Sequence, residues 1–223
     1  MTEIFLVRHA QASFADDNYD KLSELGHQQS KWLGEYFCNM GIVFDEVFTG
    51  DQNRHQQTAR GITNQLHESP PAFVIPGLNE FDFHNLFCAA GHEYLQLMEN
   101  RREAPRQFFM GLKQVLGLWI NDQLSEPAKE SWPEFYARVN QALSRIRTSK
   151  ADNILVVSSG GPISTMIGML LHCHPVTMIE LNFQIINASV SRVFCNDAKL
   201  VLASFNTLPH LDSPERKHAI TYG

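Results

Sequence analysis

The chain is poor in the features that mark several large classes of protein. Its four cysteines, Cys38, Cys88, Cys173 and Cys195, include no C-x-x-C pair. Their spacing matches no zinc module, and free thiols in a reducing compartment are expected. No apolar run reaches the roughly 20 residues that a membrane-spanning helix needs. Basic charge is scarce: 18 Lys and Arg stand against 24 Asp and Glu, a formal net charge of −6. The basic residues are scattered, which argues against a nucleic-acid partner held by phosphate neutralisation. A small anionic substrate remains compatible, because a pocket can be basic in an acidic protein. The N-terminus carries no basic leader and no signal-peptide apolar core, so a soluble cytoplasmic protein is expected.

What the chain does have is a core and a rhythm. Of its 223 residues, 43% are hydrophobic and 19% charged, enough to fold one large domain or one domain with an insertion. Ile4–Val7 and "NILVVSS" are continuous apolar runs, the pattern of strands covered on both faces. "EVFTG" and "FVIPGLNEF" read as further strands, the latter ended by Pro76 and Gly77. "LSELGHQQSKWLGEYF" reads as a helix capped by Ser23, with Leu25, Trp32, Leu33, Tyr36 and Phe37 as its apolar stripe. "DQNRHQQTARGITNQL" places Ala59, Ile62 and Leu66 on one helical face. "WPEFYARVNQALSRI" is a third amphipathic helix, with Pro133 in its first turn. "SVSRVFC" and "KLVLASF" close the domain as two strands. Strands alternating with helices give an α/β class: a three-layer α/β/α architecture with a mostly parallel sheet. A helical cap insertion is expected at about residues 82–131, and a loosely ordered polar tail over 207–223.

Ligands of such sheets sit beyond the carboxyl ends of the strands. The residues just after each apolar run are Arg8 and His9, Asp51 to Arg54, Asn79 and Glu80, and Ser158 to Gly161. Together they offer an imidazole, two guanidinium groups, a carboxylate and a Gly-rich turn, the parts needed to hold and transfer a phosphoryl group.

These stretches, in this order, resemble the histidine phosphatase superfamily, the phosphoglycerate-mutase-like fold. "LVRHAQ" is similar to its Arg-His-Gly signature, and "LSELGHQQ" matches its L-[ST]-x-x-G-x-x-Q. "RHQQTA" matches the Arg that precedes Gln-Thr-Ala, and "GLNE" supplies the Glu after a strand. "KESWPEFYARV" and "NASVSRV" resemble later elements, so the resemblance runs from about residue 3 to 205. Three positions depart from it. Ala10 stands where Gly is usual, and Gly50 where Ser is common. Ser159, in "VVSSGGPIS", stands where the family has its second His.

The resemblance implies a metal-independent phosphomonoester hydrolase without a cofactor. His9 would be the nucleophile and form a phosphohistidine, which requires a neutral imidazole with one nitrogen held by a hydrogen bond. Arg8 and Arg54 would clamp the phosphoryl oxygens. Glu80 would be the general acid, its pKa raised by apolar neighbours such as Leu78, Phe81 and Phe83, with Asp82 as a competitor. Ser159, Gly160 and Gln11 would contact the phosphate, the hydroxyl of Ser159 more weakly than an imidazole, so reduced activity is expected. The ordinary alternative for Arg54 is a solvated helix residue pairing with Asp51; His84 and His92, in the cap, are placed where they could contact substrate but are expected to be ordinary polar residues. "LLHCHP" does not place His172 and His174 on one face, so no metal site is expected. The expected partner is a small phosphorylated substrate or inorganic phosphate, with a homodimer compatible. A non-catalytic phosphate-binding protein of the same fold is the main alternative, and a phosphoglycerate mutase the lesser one.

Overall fold

The structure is a computed structural model and describes residues 1–13, 20–196 and 199–222. In chain order the elements are β1 (Thr2–Arg8), α1 (Glu24–Asn39), β2 (Glu46–Thr49), α2 (Asn53–Thr63) and β3 (Ala72–Val74). Next come α3 (Phe83–Ala90), α4 (His92–Glu99), α5 (Pro105–Ile120), α6 (Trp132–Arg147) and β4 (Asn153–Ser158). The chain continues with α7 (Gly160–Leu170), α8 (Pro175–Gln184), β5 (Val190–Cys195) and β6 (Leu200–Thr207). The strands form one sheet in the order β3-β2-β4-β1-β5-β6. β1, β2, β3 and β4 run parallel, and β5 and β6 add an antiparallel margin.

The apolar runs account for the layering. Successive side chains on a strand point to opposite faces. Ile4 and Leu6 of β1, with Ile154 and Val156 of β4, pack against Phe135 and Val139 of α6 and Met166 of α7. Phe5, Val7, Leu155 and Val157 face the other way, onto Leu33 and Phe37 of α1 and Ile62 of α2. Both faces are therefore covered, which is why these strands carry no polar alternation.

Register and caps fix where the chain leaves the sheet. Arg8 pairs with Ser158 and Thr49 with Val157, so β1, β2 and β4 end almost level. Ser23 Oγ accepts from the Gly26 N–H at 3.0 Å and starts α1. Ser131 and Glu134 form a reciprocal capping box at α6. The stretch "FVIPGLNEF" pairs only over Ala72–Val74, at the sheet edge. A 3₁₀ turn at Pro76–Leu78 follows, where proline has no N–H to give a ladder.

The segment after β6 differs from the loosely ordered tail expected from its polarity. Residues 208–222 pack back across α1: Leu211 and Ala219 are fully buried, and the Arg216 guanidinium lies 4.7 Å from the centre of the Trp32 ring. Gln29 Nε2 donates to Ala219 O at 2.7 Å and to Thr221 Oγ1 at 3.0 Å. The Asn187 N–H donates to Thr221 O, and Thr221 Oγ1 to Asn187 Oδ1, each at 3.0 Å. Arg216 and Thr221 thus pair with the body of the fold, a use that composition does not reveal, while Asp212, Glu215, Lys217 and His218 stay exposed.

Candidate active site

His9 stands at the mouth of β1 and is held on every side. Its N–H donates to Ser158 O at 2.8 Å, and its carbonyl accepts from the Ala188 N–H at 3.2 Å and Asn187 Nδ2 at 3.4 Å. Its Nδ1 lies 2.8 Å from Ala10 O. A carbonyl only accepts, so Nδ1 carries the proton and Nε2 keeps a lone pair. Burial, then the charges of Arg54 and Arg8, hold its pKa well below the usual histidine value. The ring is therefore neutral, with Nε2 unprotonated, and it lines a cavity.

Two guanidinium groups line the same cavity. Arg54, in the first turn of α2, directs Nε to His9 Nε2 at 3.3 Å. It pairs not with Asp51 but with Asp20, 2.9 Å from its Nη1. Asp20 also accepts from the N–H groups of Asn53 and Arg54 at 2.9 and 3.4 Å, capping α2. Asp51 instead accepts from Asn79 Nδ2 on the exposed surface. Arg54 Nη2 donates to Gln52 Oε1 at 2.8 Å, and the same oxygen accepts from the Glu80 N–H at 3.1 Å. Gln52 thus ties the Arg54 clamp to the Glu80 turn. Arg8 Nη1 donates to Ile185 O, just beyond α8.

Glu80 lines the same cavity as His9. Burial raises its pKa, against the opposing pull of the Gly161 N–H and the two arginines. Oε2 accepts from the Gly161 N–H at 3.1 Å, and Oε1 from the Phe81 N–H at 3.2 Å. A Cβ at position 161 would fall 2.1 Å from Oε1, so only glycine lets the carboxyl dock on the start of α7. Asp82, the competitor, points elsewhere: it caps α3 through the Asn85 N–H and lies 3.5 Å from Lys129 Nζ.

The remaining expected contacts fall outside the cavity lining. Gln11 Oε1 accepts from Ser23 Oγ at 2.6 Å, which fixes the loop after β1 instead. Gly160 packs against Asn182, and the Gly161 N–H is taken by Glu80 rather than left for a phosphate. Ser159 is fully buried, its Oγ 2.6 Å from His55 Nε2 and 3.5 Å from Arg54 Nη2. His84 and His92 bond within their own helices, to Cys88 and Gln96. His172 is exposed and His174 caps α8, and no cluster of three metal-ligating side chains occurs among the described residues.

The cavity measures about 290 Å³, and Arg8, His9, Arg54 and Glu80 form its polar wall. Phe83 of α3 and Phe108, Phe109 and Leu112 of α5, with Phe81 next to Glu80, form its apolar wall. Asn182 and Phe183 of α8 and Tyr222 of the C-terminal segment complete it. Of the other cap aromatics, Phe87 and Trp119 are core: Phe87 stacks on Phe108 at 5.4 Å, and Trp119 packs on Phe81 and Phe135. Tyr94 packs against that core as well. Asp20, Gln52, His55, Asn182 and Tyr222 carry no signal at the sequence level. Each comes to the site through tertiary placement, and only the helix-start position of Gln52 and Arg54 hints at one.

A neutral imidazole, two guanidinium groups and a carboxyl of raised pKa share one cavity at the strand ends of an α/β sheet, a set of groups suited to a phosphoryl ligand. The family model described as the histidine phosphatase superfamily (branch 1) matches residues 4–208, and the chain belongs to that superfamily. A Hydrogenobacter thermophilus protein provisionally named phosphoserine phosphatase 2 is 25% identical over 218 residues, 94% of this chain and 98% of its own. The structure of an Entamoeba histolytica phosphoserine phosphatase variant in complex with phosphoserine matches with a TM-score of 0.67 and 21% identity, covering 95% of this chain and all of the other. The alpha-ribazole phosphatase of Shigella flexneri matches with a TM-score of 0.64 and 24% identity over 92% and 96% of the two chains. No helix among the described residues is long and apolar enough to cross a membrane.

Proposed function

We propose that the chain hydrolyses phosphomonoesters through a phosphohistidine at His9. The observation that carries the reading is the His9 geometry: Nδ1–H given to Ala10 O, and an unprotonated Nε2 that accepts from Arg54 Nε beside the cavity. In the first step Nε2 attacks phosphorus and the bond to the ester oxygen breaks. The protonated Glu80 carboxyl gives its proton to that oxygen, so the alcohol leaves neutral. In the second step water loses a proton to the Glu80 carboxylate and attacks the phosphohistidine. Inorganic phosphate leaves, and His9 and Glu80 return to their starting forms. Arg8 and Arg54 neutralise the phosphoryl oxygens throughout. Membership of the superfamily and the likeness to named phosphatases support this reading.

The leaving group belongs to a less polar class than the phosphate. Among the described residues, Arg8 and Arg54 are the only Lys or Arg lining the cavity, and both are assigned here to the phosphoryl group. The far wall is mainly phenyl rings with Leu112 and the Tyr222 phenol. An aryl or apolar alkyl phosphate fits such a wall better than a phosphorylated acid, whose carboxylate would find no cation there.

The test is hydrolysis of p-nitrophenyl phosphate by the protein and by His9→Ala, with an alkaline quench to capture labelled phosphoenzyme. Turnover and label in the parent, both lost in His9→Ala, are expected. Phosphate binding without turnover or label would make the chain a phosphate-binding protein instead. Turnover that survives His9→Ala would remove His9 from the chemistry.

A further inference from the structure

The loop that carries His9 is held from a distant part of the chain. Ala10 O, 2.8 Å from His9 Nδ1, belongs to the Ala10–Gln11 peptide. That unit is planar, so whatever fixes the Gln11 N–H also aims the Ala10 carbonyl. The Gln11 N–H donates to Gln29 Oε1 at 2.8 Å. The preceding peptide is likewise fixed at both ends. The Ala10 N–H donates to Thr58 Oγ1 at 3.0 Å, and the His9 carbonyl accepts from Asn187 Nδ2 at 3.4 Å.

Gln29 of α1 and Asn187, just before β5, meet at one atom, the hydroxyl oxygen of Thr221. It accepts from Gln29 Nε2 and donates to Asn187 Oδ1, each at 3.0 Å. The directions are forced at both ends. A peptide N–H only donates, so Gln29 presents Oε1 to Gln11 and its NH2 group to Thr221. A carbonyl only accepts, so Asn187 presents its NH2 group to His9 and Oδ1 to Thr221. One directed chain of hydrogen bonds thus runs from the Gln11 N–H through Gln29, Thr221 and Asn187 to the His9 carbonyl. The group at its centre must accept and donate through a single atom, which a hydroxyl does and an alkyl group does not. Gln29 and Asn187 are fully buried, where an unmet hydrogen-bonding group is costly and side chains shift to avoid it. Two further bonds keep the hydroxyl in place: Asn187 N–H to Thr221 O at 3.0 Å, and Gln29 Nε2 to Ala219 O at 2.7 Å.

We propose that Thr221 is a positioning residue for His9. From the C-terminal segment its hydroxyl joins Gln29 to Asn187, and so fixes the two peptide planes that set the orientation and tautomer of the imidazole. The proposal rests on the phosphatase reading and adds to it a residue some 210 positions from the nucleophile that the motifs do not name.

Two measurements on the full chain test it. The first is steady-state hydrolysis of p-nitrophenyl phosphate. Thr221→Val keeps the branched shape and removes both hydrogen bonds of the hydroxyl. It should lower kcat about tenfold with KM within about threefold, the mark of a misaligned attacking group rather than of lost binding. Thr221→Ser restores the hydroxyl and should stay within about threefold of the parent. Asn187→Ala should also be slow, and its loss should not multiply with that of Thr221→Val, since both break one chain. The second measurement is the ring ¹⁵N spectrum at pH 7, with the His9 signals identified by their loss in His9→Ala. The parent should show a protonated Nδ1 and an unprotonated Nε2, and Thr221→Val should add a population with the proton on Nε2. A Thr221→Ser as slow as Thr221→Val, a loss expressed in KM alone, or a fall in kcat with the His9 ring nitrogens unchanged would each overturn the proposal. The Val and Ser variants carry the test even if Asn187→Ala does not fold. Turnover that survives His9→Ala would refute the phosphatase reading instead. The ring spectrum reads Thr221 without turnover, so the two failures are distinguishable.

Discussion

The two walls of the cavity are built in opposite ways. The polar wall comes from strand ends and helix starts, and its members are fixed by hydrogen bonds: to the backbone for His9 (Ser158, Ala10 and Ala188), Glu80 (Gly161) and Arg8 (Ile185), and to the side chains of Asp20 and Gln52 for Arg54. The aromatic wall comes from α3, α5, α8 and the C-terminal segment, and its members are fixed by ring packing such as Phe108 against Phe83, Phe87 and Phe109. A wall fixed by backbone geometry tolerates no exchange of residue type at the reacting centre. A wall fixed by packing can change its side chains and keep its shape roughly. Chemistry and selection are thereby assigned to separate parts of the chain.

That division can be broken by experiment. The largest effect is expected at the polar wall. Arg54→Ala should lower kcat/KM by about 10²–10³ for aryl and alkyl phosphates alike, because both share the phosphoryl group. A loss confined to one substrate class would place Arg54 in selection instead. Glu80→Gln should cost alkyl phosphates about 10²–10³ in kcat and p-nitrophenyl phosphate clearly less, since a good leaving group needs little protonation. The raised pKa of Glu80 also fixes a sign. Activity needs the protonated carboxyl, so kcat/KM should fall as pH rises through that value, and this alkaline limb should vanish in Glu80→Gln.

His210 lies in neither wall and tests the frame alone. Burial, then the charge of Arg216, lowers its pKa from 6.5 to about 3. Below pH 6.5 the unfolded chain takes up a proton that the folded chain refuses until about pH 3. Stability should therefore fall on acidification through that window, by about 1.4 kcal/mol per pH unit from this residue. Urea midpoints at pH 7 and pH 5 should converge in His210→Phe relative to the parent, although not fully, because buried His9 and His55 act in the same direction. A parent midpoint that does not move between those pH values would contradict the burial of all three. The smallest effect is expected at the aromatic wall. Phe109→Ala should raise KM for aryl phosphates about tenfold and leave a small polar phosphomonoester nearly unchanged.

The same division explains what could be read from the sequence. Arg8, His9, Arg54 and Glu80 were legible because each follows an apolar run, and strand ends are where a parallel sheet gathers its ligands. Asp20 and Gln52 were not, because an acceptor for Arg54 can come from any loop that folds against it. Phe83, Phe108 and Phe109 could not be separated from Phe87 and Trp119, since helical spacing gives a face but not what the face meets. Gln11 and Gly160 sit beside motif residues, yet their partners turned out to be Ser23 and Asn182. The Glu80–Gly161 contact took the N–H that the Gly-rich turn was expected to offer a phosphate.

The C-terminal segment carries a practical consequence. Thr221 is bonded to Asn187, Asn187 supports the His9 carbonyl, and Tyr222 stands at the cavity mouth. A purification tag fused after Gly223 would begin one residue beyond a side chain that lines the cavity and would pull on the strap behind the nucleophile. Met1 is exposed at the opposite end of β1, about 26 Å along the strand from His9. A tag placed there leaves the entrance clear, so the choice of fusion end alone can decide whether a preparation turns over.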